Sequence, residues 1–510
     1  MALINSFISW LMKKRIHQIE LFMKYPNEVQ KELFKKLIYT ASFTEWGKKY
    51  NYRSIETPEE FRQRVPVQDY ESLKPYIKRV MNGEQQVLWP TEIKWFAKSS
   101  GTTQDKSKFI PVTTESLEEC HFKGGKDMLS LYFNNHPDAR LFTGKSLALG
   151  GSHQINQFSN ESYYGDLSAI IIQNLPFWAE FSRIPHKAIA LMDQWEQKIE
   201  KMATATIHEN VTSISGVPSW TLVLIQHILE KTGKKDIRDI WPNLEVFFHG
   251  GVSFTPYRDQ FSKLISGKLC YMETYNASEG YFGIQDTTGS DDLLLMLDYG
   301  IYYEFLPANR VNDPSAPVIG LDEVETGVNY ALVISTNGGL WRYLIGDTVV
   351  FTSTNPYRIR ITGRTKSFIN AFGEELIIDN AEQALAIASE KTNAEIQEYT
   401  AGPVYFENGQ AGGHEWLIEF KQAPDSLAYF TEVLDNALKS LNSDYEAKRF
   451  GDLALQKPLV HTMPAGSFYN WMKGRGKLGG QNKVPRLSND RRFIDDILSK
   501  NEPGQQRPAI

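Results

Sequence analysis

Apolar residues recur along this chain with two different periods, and the switch between them outlines an architecture. Ile8, Leu11, Met12, Ile16, Ile19 and Met23 fall at helical spacing, and Val29, Leu33 and Leu37 resume it beyond Pro26, so two consecutive helices open the chain. Thr57, Pro58 and Glu60 form a helix start: a hydroxyl N-cap, a proline in the first turn and an acid at the third position. Leu117, Cys120, Gly124, Met128 and Leu131 mark a further helix. Short apolar runs ending in glycine then alternate with helical stretches. Ser146-Leu147-Ala148-Leu149 ends at Gly150-Gly151, and a helix spans 193–208. Val211 to Ser215 runs into a turn at Gly216-Val217-Pro218-Ser219-Trp220, with a helix over 221–231. Leu244 to Phe248 ends at His249-Gly250-Gly251, Thr255-Pro256 opens a helix, and Leu269 to Tyr275 ends at Asn276-Ala277-Ser278-Glu279-Gly280. This alternation predicts an α/β layer architecture. Strand patterns dominate 293–351, with turns at Asp298-Tyr299-Gly300 and Thr336-Asn337-Gly338-Gly339, and predict an antiparallel or barrel-like part. Beyond a compositional change near Gly363-Arg364-Thr365-Lys366, helix 380–391, strands 396–406 and 414–420 and helix 425–441 predict a compact α+β domain. Residues 501–510 are polar and read as a frayed end.

Composition narrows the function classes. The 510 residues exceed one simple core, and 41% hydrophobic with 23% charged residues is the balance of a soluble globular protein. The 12% aromatic content supplies a large interior or an aromatic-lined pocket. A net charge of -6 without a basic block argues against nucleic acid as a partner. Cys120 and Cys270 stand at no metal-ligand spacing and allow at most one bridge, so a reduced, cytoplasmic setting is the default. No apolar run approaches the roughly 18 residues of a membrane span. The apolar start is followed by Lys13-Lys14-Arg15 rather than preceded by it, which is not the order of a secretory signal. That basic cluster can meet a membrane surface or pack on the main body; the acids on the same face favour packing, and no stable membrane association is expected.

Candidate chemistry gathers at the ends of the apolar runs. Ser99-Ser100-Gly101-Thr102-Thr103-Gln104-Asp105-Lys106-Ser107-Lys108 lies between Trp95-Phe96-Ala97 and Phe109-Ile110-Pro111-Val112, as a tight turn between two strands would. Bare backbone and hydroxyls there can donate to an anion, and the lysines add charge. The run lacks the glycine spacing of a Walker A loop, and a polar surface turn has the same composition. Gly250-Gly251 admits a flat ring against the backbone or is a plain strand-to-helix turn. Glu279, after Ser278, suits Mg²⁺, which takes few carboxylates plus phosphate oxygens, or is a solvated loop acid. Asp347, past Gly346 at the end of Arg342-Tyr343-Leu344-Ile345, suits both hydroxyls of a ribose or caps a turn. Arg364 can reach that sugar or a phosphate, or serves the linker. Gly474-Arg475-Gly476-Lys477-Leu478-Gly479-Gly480-Gln481-Asn482-Lys483 reads as a loop delivering Lys483 to a phosphate, or as a solvated basic loop.

Taken in order, these stretches resemble the GH3 acyl-acid amido synthetases, within the acyl-adenylate-forming enzymes. The likeness spans nearly the whole chain and includes Phe61-Arg62-Gln63-Arg64-Val65-Pro66-Val67 as well as Ala97 to Thr103, Tyr275 to Glu279, Gly346-Asp347 and Lys483-Val484-Pro485-Arg486. The resemblance implies a large N-terminal adenylate-forming domain (1–363) with mixed sheets and a barrel-like part, a hinge (364–367) and a small mobile α+β C-terminal domain (368–510). It implies that Ser99, Ser100, Gly101, Thr102, Thr103 and Lys108 bind phosphates of ATP. Gly250 and Gly251 then back the adenine, Tyr275 and Ser278 lead to Glu279 near the α-phosphate and Mg²⁺, and Asp347 takes the ribose. Arg364 is the hinge arginine and Lys483 the lysine that meets the reacting phosphate and acyl group. The implied reaction joins a small-molecule carboxylic acid to an amino acid through an acyl-adenylate. Two departures stand out. Gln104-Asp105 replaces a glycine between the hydroxyl run and its lysine, and the family's Tyr-Arg-x-Gly-Asp appears as Tyr343-Leu344-Ile345-Gly346-Asp347. Arg342 stands instead before the tyrosine, where strand alternation would point it the same way as Leu344.

Overall fold

The computed structural model describes residues 14–501 except 101–106, 151–154, 160, 176–179, 181, 193–194, 253, 255–256, 312, 314, 366–367, 406–411, 453 and 476–483. Gly101, Thr102, Thr103, Lys483, the first helix's Ile8 to Met12 and the tail 502–510 therefore lie outside the described residues. The chain divides into two compact units, residues 1–99 with 108–365, and residues 366–510 with 100–107.

The first unit is built on one eleven-stranded sheet whose two halves differ in kind. Arg183–Ile184, Lys145–Ala148, Val211–Gly216, Val246–Gly250 and Cys270–Ala277 run parallel in that order. The sheet continues antiparallel through Gly280–Ile284, Leu293–Leu295, Tyr357–Arg364, Tyr343–Thr354, Asn329–Thr336 and Ile301–Pro307. The pattern change read near residue 290 is thus a change of pairing within one sheet. The barrel-like part is an antiparallel wing that curls without closing among the described residues, because Ile301–Pro307 ends the strand order. Alternating apolar positions are the same in a closed and an open sheet, so the sequence pattern cannot separate them. A separate four-stranded sheet holds Ser107–Val112, Trp95–Ser100, Tyr163–Gly165 and Asn156–Gln157, so the Ser99–Lys108 run does join neighbouring strands.

The helices follow local signals. Residues 14–24 and Pro26–Ala41 are the two opening helices. Arg15 is not a surface cation: it is buried, with its guanidinium on Asp127 (2.7 Å) and Asp298 (2.8 Å), so this member of the basic cluster packs on the main body, while Lys14 is exposed and Lys13 lies outside the described residues. Pro58–Arg64 is capped by the Thr57 side chain accepting from Glu60 N–H (3.2 Å). One helix starts earlier than the pattern suggested: Pro218–Thr232 has Pro218 at its first position, where the missing N–H costs nothing.

The second unit is α+β. Gly413–Gln422 is the central strand of three, antiparallel to Glu395–Val404 and parallel to Leu459–Met463. Helices Ile378–Thr392 and Leu427–Leu441 accompany it, and Leu417, Met463, Phe468, Trp471, Val484, Ile494 and Ile497 share a core.

Candidate active site

Parallel strands bring their carboxyl ends to one edge, where ligands of α/β sheets gather. The register places Gly216, His249 and Glu273 side by side on three strands, with Gly250 next to Thr274. Tyr275 follows two residues after Glu273, on the same face of its strand.

From the antiparallel wing comes Asp347. Its strand departs from regular pairing at this point: Ala331 pairs with Thr348 and Val333 with Leu344, so Ile345, Gly346 and Asp347 together oppose Leu332. Gly346 supplies the positive φ (99°) that such a bulge needs. On its other side Asp347 pairs with Arg364, whose Nε–H donates to Oδ1 at 2.7 Å. The Tyr275 hydroxyl donates to Oδ2 at 2.7 Å. Four strand spacings of about 4.8 Å separate these two strands, about 19 Å on a flat sheet. The 2.7 Å contact is therefore the measure of how far the wing curls over the parallel edge.

Electrostatics ties Glu279 to the same place. Burial, then the Asp347 charge, push the Tyr275 phenol far above its ordinary pKa, so it keeps its proton and donates; the Glu279 charge adds to this. Burial raises Tyr343 likewise, with Glu279 the next cause and Tyr70 and Asp69 contributing. Glu279 thus lies within electrostatic reach of both tyrosines. Tyr70 also accepts the Phe109 N–H at 2.9 Å, which fixes the strand carrying Lys108 near Tyr343. Tyr275, Glu279, Asp347 and Arg364 come together, with Gly250 one strand away. Ser278 and Ser99 are half-buried, and Gly251 is exposed with a positive φ (82°).

Gly250 has a packing reason of its own. A Cβ there would lie 2.4 Å from the Thr274 carbonyl oxygen, so close strand approach already demands glycine. Arg342 also differs from the strand reading. It precedes Tyr343–Thr354 with φ +44°, so alternation does not apply, and its buried guanidinium turns to Glu304 instead.

Two further titratable groups on this edge have no role assigned from the sequence. His249 is buried and stacked on Phe254 (4.1 Å between ring centroids), and burial lowers it to about 3, so its imidazole is neutral. Glu273 is pushed up to about 7 by burial and then by Asp291, with Arg258 opposing. Its alternation with Tyr271 and Tyr275 was the available clue. In the second unit the chain just after Lys483 is pinned: Val484 is in the core, Thr400 Oγ1 donates to the Pro485 carbonyl (2.6 Å), and Leu487 bridges to Ala401.

The sequence pattern of the GH3 family N-terminal domain matches residues 15–270, that of the central domain 294–364 and that of the C-terminal domain 379–492. The chain belongs to the GH3 family. It is 24% identical to an indole-3-acetic acid-amido synthetase, GH3.3, of Arabidopsis thaliana, over 93% of this chain and 91% of that one. The solved structure of the GH3.15 acyl acid amido synthetase in complex with 2,4-DB shares the fold, at TM-score 0.63 and 19% identity over 96% of each chain. A 2-hydroxyisobutyryl-CoA ligase does so at TM-score 0.58 and 12% identity, over 94% of this chain and 92% of that one. Mixed α/β architecture with a large N-terminal part and a smaller α+β C-terminal part is common ground for these adenylate-forming proteins and this GH3 member. Among the described residues no group of three or more His, Cys, Asp or Glu could hold a metal by itself, and no helix is long and apolar enough to cross a membrane.

Proposed function

We propose that this GH3 protein is an ATP-dependent acyl-acid amido synthetase, adenylating a small carboxylic acid and passing the acyl group to an amino acid. The observation that carries the reading is Asp347: a bulge lifts it out of its ladder, and Tyr275 and Arg364 then aim it at the edge where strands of this family's fold end. A carboxylate has about four acceptor sites, and these two donors use two. The remainder suits the two hydroxyls of a ribose. Gly250 and Gly251 back the adenine, and the Ser99 to Thr103 run with Lys108 holds the phosphates.

In the first half-reaction an oxygen of the acid bonds to the α-phosphate and pyrophosphate leaves. Positioning and charge stabilisation are most of what such a step asks of a protein. Glu279, a single carboxylate beside phosphate oxygens, fits Mg²⁺, a hard cation that takes few protein ligands; when bound it supplies charge neutralisation. Lys483 offsets charge at the α-phosphate as a compact three-donor cation. In the second half-reaction the amine nitrogen bonds to the acyl carbon, AMP departs with the bridging oxygen, and the small domain rotates about 364–367 between the steps.

The shared fold with a CoA ligase favours one rival, thioester formation from the same adenylate. A carboxylic-acid panel read by ATP–pyrophosphate exchange, then amino acids against coenzyme A with mass detection, tests the reading. Amide with AMP supports it; thioester alone selects the rival, and no acid-dependent exchange across the panel leaves a non-catalytic nucleotide-binding relative.

A further inference from the structure

The bulge that presents Asp347 is held from outside the site. Arg342 stands just before its strand, buried to 3% exposure, in a left-handed conformation (φ +44°) that glycine ordinarily occupies. Such a conformation is disfavoured for an L residue, and the bonds of the Arg342 side chain hold it there. Nε donates to Glu304 Oε2 (2.9 Å), and Nη1 donates to the carbonyls of Val65 (2.6 Å) and Arg62 (3.0 Å). Backbone bonds complete the clamp. Arg342 N–H donates to Ser335 Oγ (2.9 Å), its carbonyl accepts from Gln68 (2.8 Å), and Leu344 N–H donates to the Gln68 carbonyl (2.8 Å). Residues 342–344 are thus gripped between the segment 62–68 and the strands of Glu304 and Ser335. At the far end, Thr348 is held by Ala331 and Gly363. Only 345–347 lie free of the regular ladder toward Leu332.

We infer that Arg342 is a positioning residue for ribose recognition: by pinning the upstream end of the bulge to the segment 62–68, it sets where the Asp347 carboxylate lies. The inference rests on the assignment of Asp347 to the ribose. It also gives the family's lead-in stretch, Phe61 to Val67, a physical task, since two of its carbonyls are the acceptors for Arg342. The charge of Arg342 never meets the nucleotide; it acts through backbone geometry.

The test measures dissociation constants of AMP, 2′-deoxy-AMP and 3′-deoxy-AMP by calorimetry for the wild type, Arg342→Lys and Asp347→Ala. A lysine keeps the cation but offers its donors from one nitrogen, so it cannot serve Glu304 and the two carbonyls from separate atoms as Nε and Nη1 do. Wild type should prefer AMP over each deoxy form by about tenfold, the equivalent of one charge-assisted hydrogen bond. Arg342→Lys should cut that preference to about twofold while thermal unfolding shows a folded protein. General destabilisation would weaken all three ligands alike and leave the ratio. An unchanged ratio in folded Arg342→Lys overturns the inference; if Arg342→Lys does not fold, Glu304→Gln is measured in its place with the same two outcomes. If Asp347→Ala keeps the preference, the ribose assignment itself fails, which separates that failure from the failure of the clamp.

Discussion

Replacing Asp347 by alanine probes the proposed nucleotide site where its geometry is best defined. The carboxylate is nearly buried, at 8% exposure, and accepts from Tyr275 (2.7 Å) and Arg364 (2.7 Å). With those two donors in place it has capacity for two more, and a ribose diol would supply them. Hydrogen bonds to a charged group are worth about 1.5–3 kcal/mol each. Taking the low end for a site open to solvent on the ligand side, two such bonds contribute about 3 kcal/mol, or about 10²-fold in affinity. The loss should be the same for ATP and AMP, because the ribose is common to both. Removal also strands the buried Tyr275 hydroxyl, which should cost about 1–3 kcal/mol of stability. Calorimetry is therefore run well below the variant's own midpoint, with circular dichroism confirming the fold. If Asp347→Ala binds ATP and AMP as tightly as the parent, the carboxylate does not hold the ribose and the reasoning from its free acceptor sites is wrong.

Three further outcomes follow from the same geometry. Glu273 has its carboxyl raised from 4.5 to about 7 by burial, so the folded state binds the extra proton and stability falls as pH rises from about 4.5 through 7. Glu273→Gln removes that dependence, and its stability relative to wild type should grow by about 3 kcal/mol between pH 4.5 and 8 in denaturant titrations; a gap that does not change with pH refutes the assignment. Gly250→Ala places a Cβ 2.4 Å from the Thr274 carbonyl oxygen, so unfolding midpoints should show a loss of about 1–3 kcal/mol together with weaker AMP binding, whereas an unperturbed protein would mean the two strands can part. Lys483→Ala should lower pyrophosphate exchange by about 10²–10³-fold, by analogy with loss of one transition-state donor, and leave the ATP dissociation constant within a few-fold; equal losses in both would show a binding rather than a transition-state role.

Local rules carried the sequence reading a long way. Thr57 and Pro58 marked a helix start because capping is local chemistry, and Gly251 marked the end of Val246–Gly250 because the turn there takes a positive φ. Pro218 was read as part of a turn although proline is equally at home in a first helical turn. What stayed hidden depends on contacts distant in sequence. Nothing near Asp347 announces that Tyr275, across three intervening strands, will donate to it, since sheet curl is a property of the whole wing. Arg342 looked like a displaced motif arginine because its positive φ arises from Glu304, Arg62 and Val65, none of them its sequence neighbours. The short strand Leu459–Met463, hemmed by Pro458 and Pro464, is a strand through pairing with Gly413–Gln422 rather than through any pattern of its own.

An oxygen-tracing experiment tests acyl-adenylate formation most directly. A carboxylic acid that supports pyrophosphate exchange is labelled with ¹⁸O in both carboxyl oxygens and turned over with ATP and an amino acid, and the nucleotide product is analysed by mass spectrometry. Attack of the acid on the α-phosphate leaves one labelled oxygen on AMP when the amide forms. AMP without label, or label appearing in inorganic phosphate beside ADP, would show that the acid is not activated as its adenylate.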